Sequence, residues 1–435
     1  MRIGLIVKKI LPSFAYKQIL KLYRAMSRVL DMQISNYAIR KVEFTVSKLQ
    51  SDKSPIRFGF YVVHSSTFQM RGVFELMAKD DSFAPYIVVV LEERGCRCEA
   101  IQTMHKEYMI LRNQYGDCVH LGFSNGVYQN FIDRCDACSV MNPYKGMTHF
   151  DFTIEHFARH GIPVFFASYF YYCDGPWMQE AYSLSSCKYI YRYFCANTAE
   201  QQAIMQQQGD AYATKRTVVT GNPKTDGIYN SQKINKRKVI LIAPHHSIVP
   251  DDFVGFHIGN FLKYYKFFLS LPLRYPQIDW VLRPHPVLRL RLIQDAGWTS
   301  GQWESYVRAF DANANARFED GGFYYDCFAK SDALIQDCGS FLSEYFLTGK
   351  PQCFLLDSPT SMRKQFGEFG RQLLDHTYKA FNQEQILDFI DDVVVREHDF
   401  MKQRRDDFTK NQIQINHPHV SEAVLDEIKK ILNRK

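Results

Sequence analysis

The chain has 435 residues, of which 46% are hydrophobic and 23% are charged, a composition typical of globular proteins. It is therefore not a disordered chain, and no apolar stretch reaches the roughly 18 residues that a bilayer span requires. The eleven cysteines are scattered, and the first residues show no apolar core of a signal peptide. We therefore expect a reducing cytoplasm and no disulfides.

The net charge of +7 is concentrated near the start of the chain. Residues 1–30 contain no acid, and their bases are Arg2, Lys8, Lys9, Lys17, Lys21, Arg24 and Arg28. The last four of these bases share one helical face beside apolar residues, which predicts a basic amphipathic helix. Such a helix suits an anionic inner-membrane surface; a solvated helix packed on the body is the alternative. Nucleic acid is not an expected partner, because no basic patch recurs beside stacking aromatics.

From about residue 55, short apolar runs alternate with amphipathic stretches, which predicts a parallel, doubly wound sheet. The strands predicted in the first lobe are Ile56–Ser65, Pro85–Leu91, Val119–Phe123, Ala137–Met141, Ile162–Ala167, Tyr189–Ala196 and Thr217–Thr220. The helices predicted between them include Gln69–Lys79, Thr103–Gln114, Phe150–His160 and Ala199–Gln208.

A polar, basic break at Asn230–Lys238 precedes a second run of the same pattern. Its predicted strands are Val239–Ala243, Trp280–Arg283, Ala316–Phe318, Ala333–Gln336 and Gln352–Leu355. Its predicted helices lie near Phe256–Leu271, after Pro286, at Tyr324–Lys330 and Phe341–Leu347, and then in Gln383–Lys410 and Val420–Lys435. The pattern predicts a helical extension in 1–50, one α/β lobe in 51–229, a second in 230–385 and C-terminal helices in 386–435.

Ligands of doubly wound sheets collect at the carboxyl ends of the strands, so the residues that end strands are the first candidates for a site. Four such segments carry suitable side chains: Thr220–Asp226, Ala243–Ile248, Leu282–Pro286 and Ser331–Tyr345. In the third, two prolines hold Arg283 and His285 on a stiff turn, which suits a phosphate. In the fourth, Ser340 follows a buried strand at the predicted start of a helix, where free amides favour an anion.

These four segments, in this order and spacing, resemble the CDP-glycerol glycerophosphotransferase family of teichoic-acid and capsule synthesis. The family pattern is G-x-P-R-x-D, a strand ending A-P-T, a strand ending H-P, and S-D-x-L-I-x-D-x-S-S with a following acidic-Tyr pair and K-P. The matching residues are Gly221/Pro223/Lys224/Asp226, Ala243-Pro244-His245, His285-Pro286, Ser331 to Ser340, Glu344-Tyr345 and Lys350-Pro351. The last segment is the most specific.

The resemblance implies a GT-B fold, with two Rossmann-like lobes facing a cleft, and a transfer that needs no metal or other cofactor. The implied donor is nucleotide-linked, CDP-glycerol being favoured, and the acceptor is a hydroxyl of a cell-surface polymer or its lipid-linked primer. The residues implied to bind the donor phosphates are His245, Ser247, Arg283, His285, Gly339 and Ser340. Those implied to form the nucleotide pocket or hinge are Gly221, Asn222, Lys224, Asp226, Asp337 and Glu344.

The sequence departs from the family where the base that activates the acceptor is expected. Family members carry a Trp-His-Gly-Thr type segment there, whereas residues 168–175 read SYFYYCDG, with an aromatic run suited to a sugar or to a core edge. The candidates for the base are His64, His246 and Asp174.

Two further departures, Lys224 for Arg and Gly339-Ser340 for the double Ser, indicate a divergent branch. Three alternatives stay open: a GT-B glycosyltransferase that uses a nucleotide sugar in capsule or lipopolysaccharide synthesis, a nucleotide-sugar epimerase, and an inactive binding homologue.

Overall fold

The computed structural model describes residues 33–141, 143–173, 175, 185–228, 237–250 and 257–434. The basic helix predicted in residues 1–30, the candidate base Asp174 and most of the predicted break at 230–238 lie outside the described residues. The described chain is an α/β fold with parallel sheets and one small antiparallel hairpin.

The strands follow the predicted order, most of them a few residues shorter than the apolar runs. They are β1 (Ile56–Val62), β2 (Phe83–Val89), β3 (Val119–Leu121), β4 (Phe123–Ser124), β5 (Val127–Tyr128), β6 (Ala137–Val140), β7 (Phe165–Ala167), β8 (Arg192–Cys195), β9 (Thr217–Val219), β10 (Lys238–Ala243), β11 (Ile278–Leu282), β12 (Ala316–Phe318), β13 (Ala333–Gln336), β14 (Gln352–Leu355) and β15 (Tyr378–Ala380).

The helices cover the faces of these sheets. They are α1 (residues 33–51), α2 (Arg71–Met77), α3 (Arg97–Tyr115), α4 (Ile154–Arg159), α5 (Thr198–Gln208), α6 (Asp210–Arg216), α7 (Phe261–Arg274), α8 (Leu288–Asp295), α9 (Ser300–Asp311), α10 (Tyr325–Lys330), α11 (Gly339–Glu344), α12 (Pro359–Gln365), α13 (Glu368–Asp375), α14 (Gln383–Asp388), α15 (Lys402–Gln412) and α16 (Val420–Leu432).

The two lobes share one strand order. The first lobe has the parallel sheet β3-β2-β1-β6, which a parallel bridge between Cys138 and Val164 continues into β7-β8-β9. The second lobe has the sheet β12-β11-β10-β13-β14-β15. In each lobe the order reverses beside the first strand, which is the point where doubly wound sheets bind their ligands. The predicted fold class, α/β with doubly wound parallel sheets, is confirmed, and the two sheets are consistent with the predicted two-lobed GT-B arrangement.

Both faces of the second sheet are buried, because alternate residues of a strand point to opposite sides. On β10, Ile240 and Ile242 belong to one apolar cluster together with Trp280, whereas Val239 and Leu241 belong to the other. All these side chains are almost completely buried. The apolar runs that read as continuous strands in the sequence are therefore the centre of a three-layer structure.

The two ends of the described chain meet on the first lobe. α1 packs on the first core through Ala38, Val42 and Val46, and α16 packs on the same core through Val424 and Ile428. The chain therefore crosses from the second lobe back to the first after α15. The domain boundaries at residues 51, 230 and 386 stay predictions.

Several elements were not predicted. α9 is absent from the prediction although Trp303, Tyr306 and Phe310 recur at helical spacing and are its buried residues. The edge strand β15 has only three residues, too few for a periodicity. The helix that was expected near Phe256–Leu271 begins at Phe261 and ends at Arg274.

Candidate functional site

Three histidines meet at the carboxyl ends of adjacent strands in the second lobe. His245 and His246 follow β10, and His285 follows its neighbour β11. The ring centroids are 4.1 Å apart for His245 and His246, 4.2 Å for His246 and His285, and 5.2 Å for His245 and His285. The structure thus brings together residues that the sequence places forty positions apart, as parallel pairing requires.

The hydrogen bonds of this cluster determine what it offers to a ligand. The Val287 amide donates to Nδ1 of His285 over 3.2 Å, and the Ser247 amide donates to Nδ1 of His245 over 3.2 Å. An imidazole whose Nδ1 accepts a hydrogen bond carries its proton on Nε2 when it is neutral. Burial lowers the pKa of both rings well below 6.5, so at pH 7 each is a neutral N–H donor.

Nitrogen atoms of the three rings lie within 4.8 Å of one another, a spacing that a metal ion could occupy. However, a metal-bound histidine normally donates its second N–H to a carbonyl or carboxylate. Here Nδ1 of His285 accepts from an amide instead, which leaves the proton on the nitrogen that would have to bind the metal. The donor set therefore fits an anion better than a cation.

Asp337 and Ser340 complete this side of the site in different ways. Asp337 is fully buried, accepts from the amides of His245 (2.6 Å) and Asn260, and its pKa is raised by burial to about 7. Asp337 therefore fixes the backbone of the loop after β10 that carries His245. Ser340 and Gly339 line the cleft directly.

Arg283 is occupied by the protein itself. Its guanidinium donates to the carbonyls of Gly321 and Gly322, the latter over 2.7 Å, and pairs with Glu319 at 3.2 Å. Its side chain is nearly buried. These contacts direct donors of Arg283 to the loop after β12, while Arg283 also lines the cleft, so its role as a phosphate ligand stays a prediction.

Lys224 and Glu344 form an ion pair that connects the lobes. Lys224 Nζ lies 3.1 Å from Glu344 Oε1, and the two side chains are 6% and 0% exposed. The Tyr324 hydroxyl donates to the other oxygen of Glu344. Glu344 is fully enclosed and does not line the larger cavity; it positions Lys224 and Tyr324, which do.

The remaining hinge residues face away from the cleft. Asp226 accepts from the amides of Val420 (3.0 Å) and Ser421 (2.7 Å) and so caps α16 at the hinge. Gly221 has φ +90°, and a Cβ there would lie 2.2 Å from the Ile415 carbonyl. The Asn222 side chain accepts from the Lys224 amide and turns the chain after β9. These residues determine how the hinge folds.

Two segments of the hinge are joined by hydrogen bonds. Asn416 donates to the Thr220 carbonyl over 3.1 Å, and His417 Nε2 lies 3.1 Å from the Thr225 carbonyl and 2.9 Å from that of Ile228. The chain that leaves the first lobe after β9 and the chain that returns to it before α16 therefore run side by side.

Across the cleft, His64 lies between two carboxylates. Nε2 of His64 is 3.3 Å from Glu92, and Nδ1 is 4.0 Å from Glu107. Glu107 is fixed by the Ser65 amide, which donates to it over 2.8 Å. A histidine held by a carboxylate is the usual arrangement of a general base. Neither glutamate was predicted, although Glu92 follows β2 closely and shares its strand-end position with His64.

The other candidate base, His246, has different surroundings. It packs between the rings of His245 and His285, and burial together with the charge of Arg291 lowers its pKa to about 4. Nδ1 of His246 is buried and has no hydrogen-bond partner among the described residues. Such an imidazole is a weak base at neutral pH, so His64 is the better candidate.

Two connected cavities lie between the lobes. The smaller, of about 250 Å³, is bordered by Arg94 of the first lobe and the three histidines of the second. The larger, of about 630 Å³, extends from His64 to the loop after β12. Tyr169, Phe170, His285 and Ser340 line both, so they form a shared wall. The other tyrosines of the aromatic run, Tyr171 and Tyr172, are buried in the cores.

No protein-family model and no curated protein matches the sequence. Among solved structures, the wall teichoic acid polymerase TagF is similar, with a TM-score of 0.56 and 11% identity over 96% of this chain and 98% of that chain. UDP-GlcNAc 2-epimerase from Neisseria meningitidis, bound to UDP-GlcNAc, has a TM-score of 0.55 and 13% identity over 86% and 100%. A co-structure of S. aureus MnaA with UDP has 0.55 and 12% over 87% and 97%. At these identities the likeness establishes the fold alone.

Proposed function

We propose that the protein is a metal-independent transferase that moves glycerol phosphate, or a related polyol phosphate, from a CDP-linked donor to a hydroxyl of a cell-surface polymer or its lipid-linked primer. The observation that carries the proposal is the division of the cleft: neutral imidazole N–H donors on one side and His64 between carboxylates on the other. The first side suits a pyrophosphate, and the second suits the hydroxyl that attacks it.

The proposed reaction assigns each side of the cleft one part of the chemistry. The acceptor oxygen forms a bond to the β-phosphorus of the donor, and the bond from that phosphorus to the bridging oxygen breaks. CMP leaves with the electron pair, and the hydroxyl proton passes to His64. Nε2–H of His285 and the hydroxyl of Ser340 stabilise the charge that develops on the phosphate oxygens. These donors are fixed before the reaction, so they need no reorganisation during it.

The nucleoside is proposed to occupy the second-lobe part of the larger cavity. Prolines on both sides of His285 and the glycines after β12, Gly321 and Gly322, line this part, and Tyr324 adds an aromatic face. An apolar pocket with a few polar groups is typical of a nucleotide site. Arg283 contributes by holding the two glycines in place.

One observation favours a second candidate, a nucleotide-sugar epimerase. Glu92 and Glu107 line the larger cavity beside His64, and such a carboxylate pair could remove and return a proton on a sugar carbon. The two candidates differ in product: the transferase releases CMP only when an acceptor is present, whereas the epimerase needs only a nucleotide sugar. A glycosyltransferase would release the nucleotide from a sugar donor, and an inactive homologue would bind without turnover.

We expect CDP-glycerol to raise the unfolding temperature of the wild type and to have little effect on His285→Ala. At a ligand concentration of about 100 times Kd the stabilisation is roughly 2.7 kcal/mol, and the variant loses it because a phosphate contact is removed. The measurement is a thermal-shift panel with CDP-glycerol, CDP-ribitol, CMP-, UDP- and GDP-linked sugars.

His419→Ala is the matched control, because His419 is an exposed histidine that borders neither cavity. It is expected to respond like the wild type. Stabilisation by a uridine- or guanosine-linked sugar alone would contradict the proposal of a cytidine-linked donor. It would indicate a glycosyltransferase or an epimerase instead. An equal response of His285→Ala would remove His285 from the site.

We also propose that the protein binds the cytoplasmic surface of the membrane through residues 1–30 and through one face of α1. On that face Tyr37 and Phe44 are 64% and 63% exposed. Lys41 and Lys48 lie over these rings, 5.3 and 4.5 Å from the centroids. Aromatic rings beside lysines suit the boundary between lipid headgroups and water. Among the described helices, none is long and apolar enough to cross a bilayer.

The full-length protein is expected to sediment with anionic vesicles and not with neutral ones. Each base near an anionic surface contributes about 1 kcal/mol, so reversing four charges should release most of the protein. The variant carries four substitutions, Lys17→Glu, Lys21→Glu, Arg24→Glu and Arg28→Glu. Its control reverses two exposed bases on α15, Lys402→Glu and Lys410→Glu. Wild-type protein that stays in the supernatant would contradict the membrane proposal.

A further inference from the structure

Arg71, the first residue of α2, joins the two lobes outside both cavities. Its guanidinium donates to the Ser65 carbonyl over 3.0 Å and to the side chain of Gln114 over 3.3 Å, both in the first lobe. The same guanidinium lies over the ring of Phe323 in the second lobe, 4.1 Å from the centroid. At this distance the face of an aromatic ring attracts a cation. One side chain therefore contacts both lobes and leaves the interior of the cleft free.

In the first lobe, Arg71 holds the backbone beside the proposed base. The His64 loop, residues 64–67, follows β1, and three of its residues line the larger cavity. The Ser65 amide donates to Glu107 over 2.8 Å, and the Ser65 carbonyl accepts from Arg71. Glu107 is also the carboxylate that lies 4.0 Å from Nδ1 of His64. Because Ser65 directly follows His64, loss of the Arg71 contact would loosen the backbone that carries the imidazole.

In the second lobe, Arg71 contacts a loop built on two glycines. The glycine loop, residues 319–323, follows β12, and Gly321 and Gly322 have φ values of +59° and +74°, which glycine adopts readily. Both glycines line the larger cavity where the nucleoside is proposed to bind. Arg283 donates to the carbonyls of Gly322 (2.7 Å) and Phe323 (3.4 Å). The loop is therefore held by Arg283 from its own lobe and by Arg71 from the other.

We propose that Arg71 is a positioning residue that couples the glycine loop to the His64 loop. This inference rests on the proposed function, which makes His64 the base and the glycine loop a wall of the nucleoside pocket. A nucleotide that contacts the glycine loop fixes Phe323 against Arg71, and Arg71 in turn fixes the backbone beside His64. The base is therefore held most firmly when a donor is bound. Because coupling between two sites is reciprocal, a change at either loop affects the other.

The first test is amide hydrogen exchange of the full chain without ligand. The amides of Thr67 and Phe68 donate to carbonyls of the His64 loop over 3.2 and 3.3 Å, so their exchange reports on that loop. Phe323→Ala, a change in the second lobe, is expected to speed this exchange about 2–5-fold, the factor that an exposed cation–π contact supports. Arg71→Ala should speed it at least as much. The control is Phe400→Ala, which removes an 80% exposed ring that borders neither cavity and should change nothing.

The second test is CMP release from CDP-glycerol in the presence of acceptor. Phe323→Ala and Arg71→Ala should each lower kcat by about 2–30-fold, with a smaller change in KM for the donor. The double variant should lose no more than Arg71→Ala, because both substitutions remove the same contact. Arg71→Lys should fall between the wild type and Arg71→Ala, since it keeps the charge but not the planar fork. The control is Arg97→Ala, because Arg97 lies over Phe123 and Tyr128 of its own lobe.

Two outcomes would overturn the coupling. The first is unchanged exchange of Thr67 and Phe68 in Phe323→Ala, because the second lobe would then have no influence on the His64 loop. The second is a double variant whose loss of kcat is the product of the two single losses, because the residues would then act separately. A wild type that releases no CMP from any cytidine-linked donor would count against the proposed function instead. The exchange experiment would still decide whether Arg71 couples the loops.

Discussion

His64→Ala is expected to lower the rate of CMP release by about 10²–10⁴-fold while the affinity for CDP-glycerol changes little, because a general base acts in the transition state and not in donor binding. Glu107→Gln should lower the rate by a smaller factor, since it removes the negative charge that lies 4.0 Å from Nδ1 of His64. The measurement is release of CMP in the presence of acceptor, together with CDP-glycerol binding by calorimetry.

The control for His64 lies on the same side of the molecule. His105→Ala removes an exposed histidine of α3, the helix that carries Glu107, and is expected to keep the wild-type rate. An unchanged rate for His64→Ala would remove His64 from the role of base. A parallel loss of rate and of donor affinity would instead make it a binding residue.

Lys224→Met is expected to destabilise the protein by about 3–5 kcal/mol, because it leaves the carboxylate of Glu344 buried without its cation. The double variant Lys224→Met with Glu344→Gln should recover much of this loss, since no buried charge remains and the amide can still accept from Tyr324. Urea unfolding followed by circular dichroism measures the change.

The matched control is Lys402→Met on α15. Lys402 pairs with Asp406, but the two side chains are 65% and 37% exposed, so its loss should cost less than about 1 kcal/mol. If Lys224→Met costs no more than Lys402→Met, the buried pair does not hold the lobes together. If the double variant is less stable than the single one, the pair contributes through its geometry and not through its charge.

The sequence was sufficient to predict the fold class and to place His245 and His285 at the ends of strands. His245 and His285 were predicted because each directly follows an apolar strand, and parallel pairing of β10 with β11 then brings them together. The parallel sheets follow from the same alternation of strands and helices. Local pattern decides these features, and local pattern is what a single sequence contains.

The sequence was not sufficient where a side chain is occupied by a distant partner. Arg283 reads as a free cation, but its partner Glu319 is 36 residues away. Asp226 was predicted to belong to the nucleotide pocket or hinge, but the sequence gives no sign that it caps a helix that begins 194 residues later. In the same way, Glu92 and Glu107 are unremarkable until the fold places them around His64. Tertiary contacts decide these roles.

The paired hinge segments restrict how the cleft can open. A single linker would leave the relative rotation of the lobes unrestricted, whereas two chain segments that lie side by side and are bonded through Asn416 and His417 are expected to restrict it. Twisting and sliding would have to break those bonds. If the lobes move, this joint is therefore expected to bring His64 back to the same register against His285, through residues that line neither cavity.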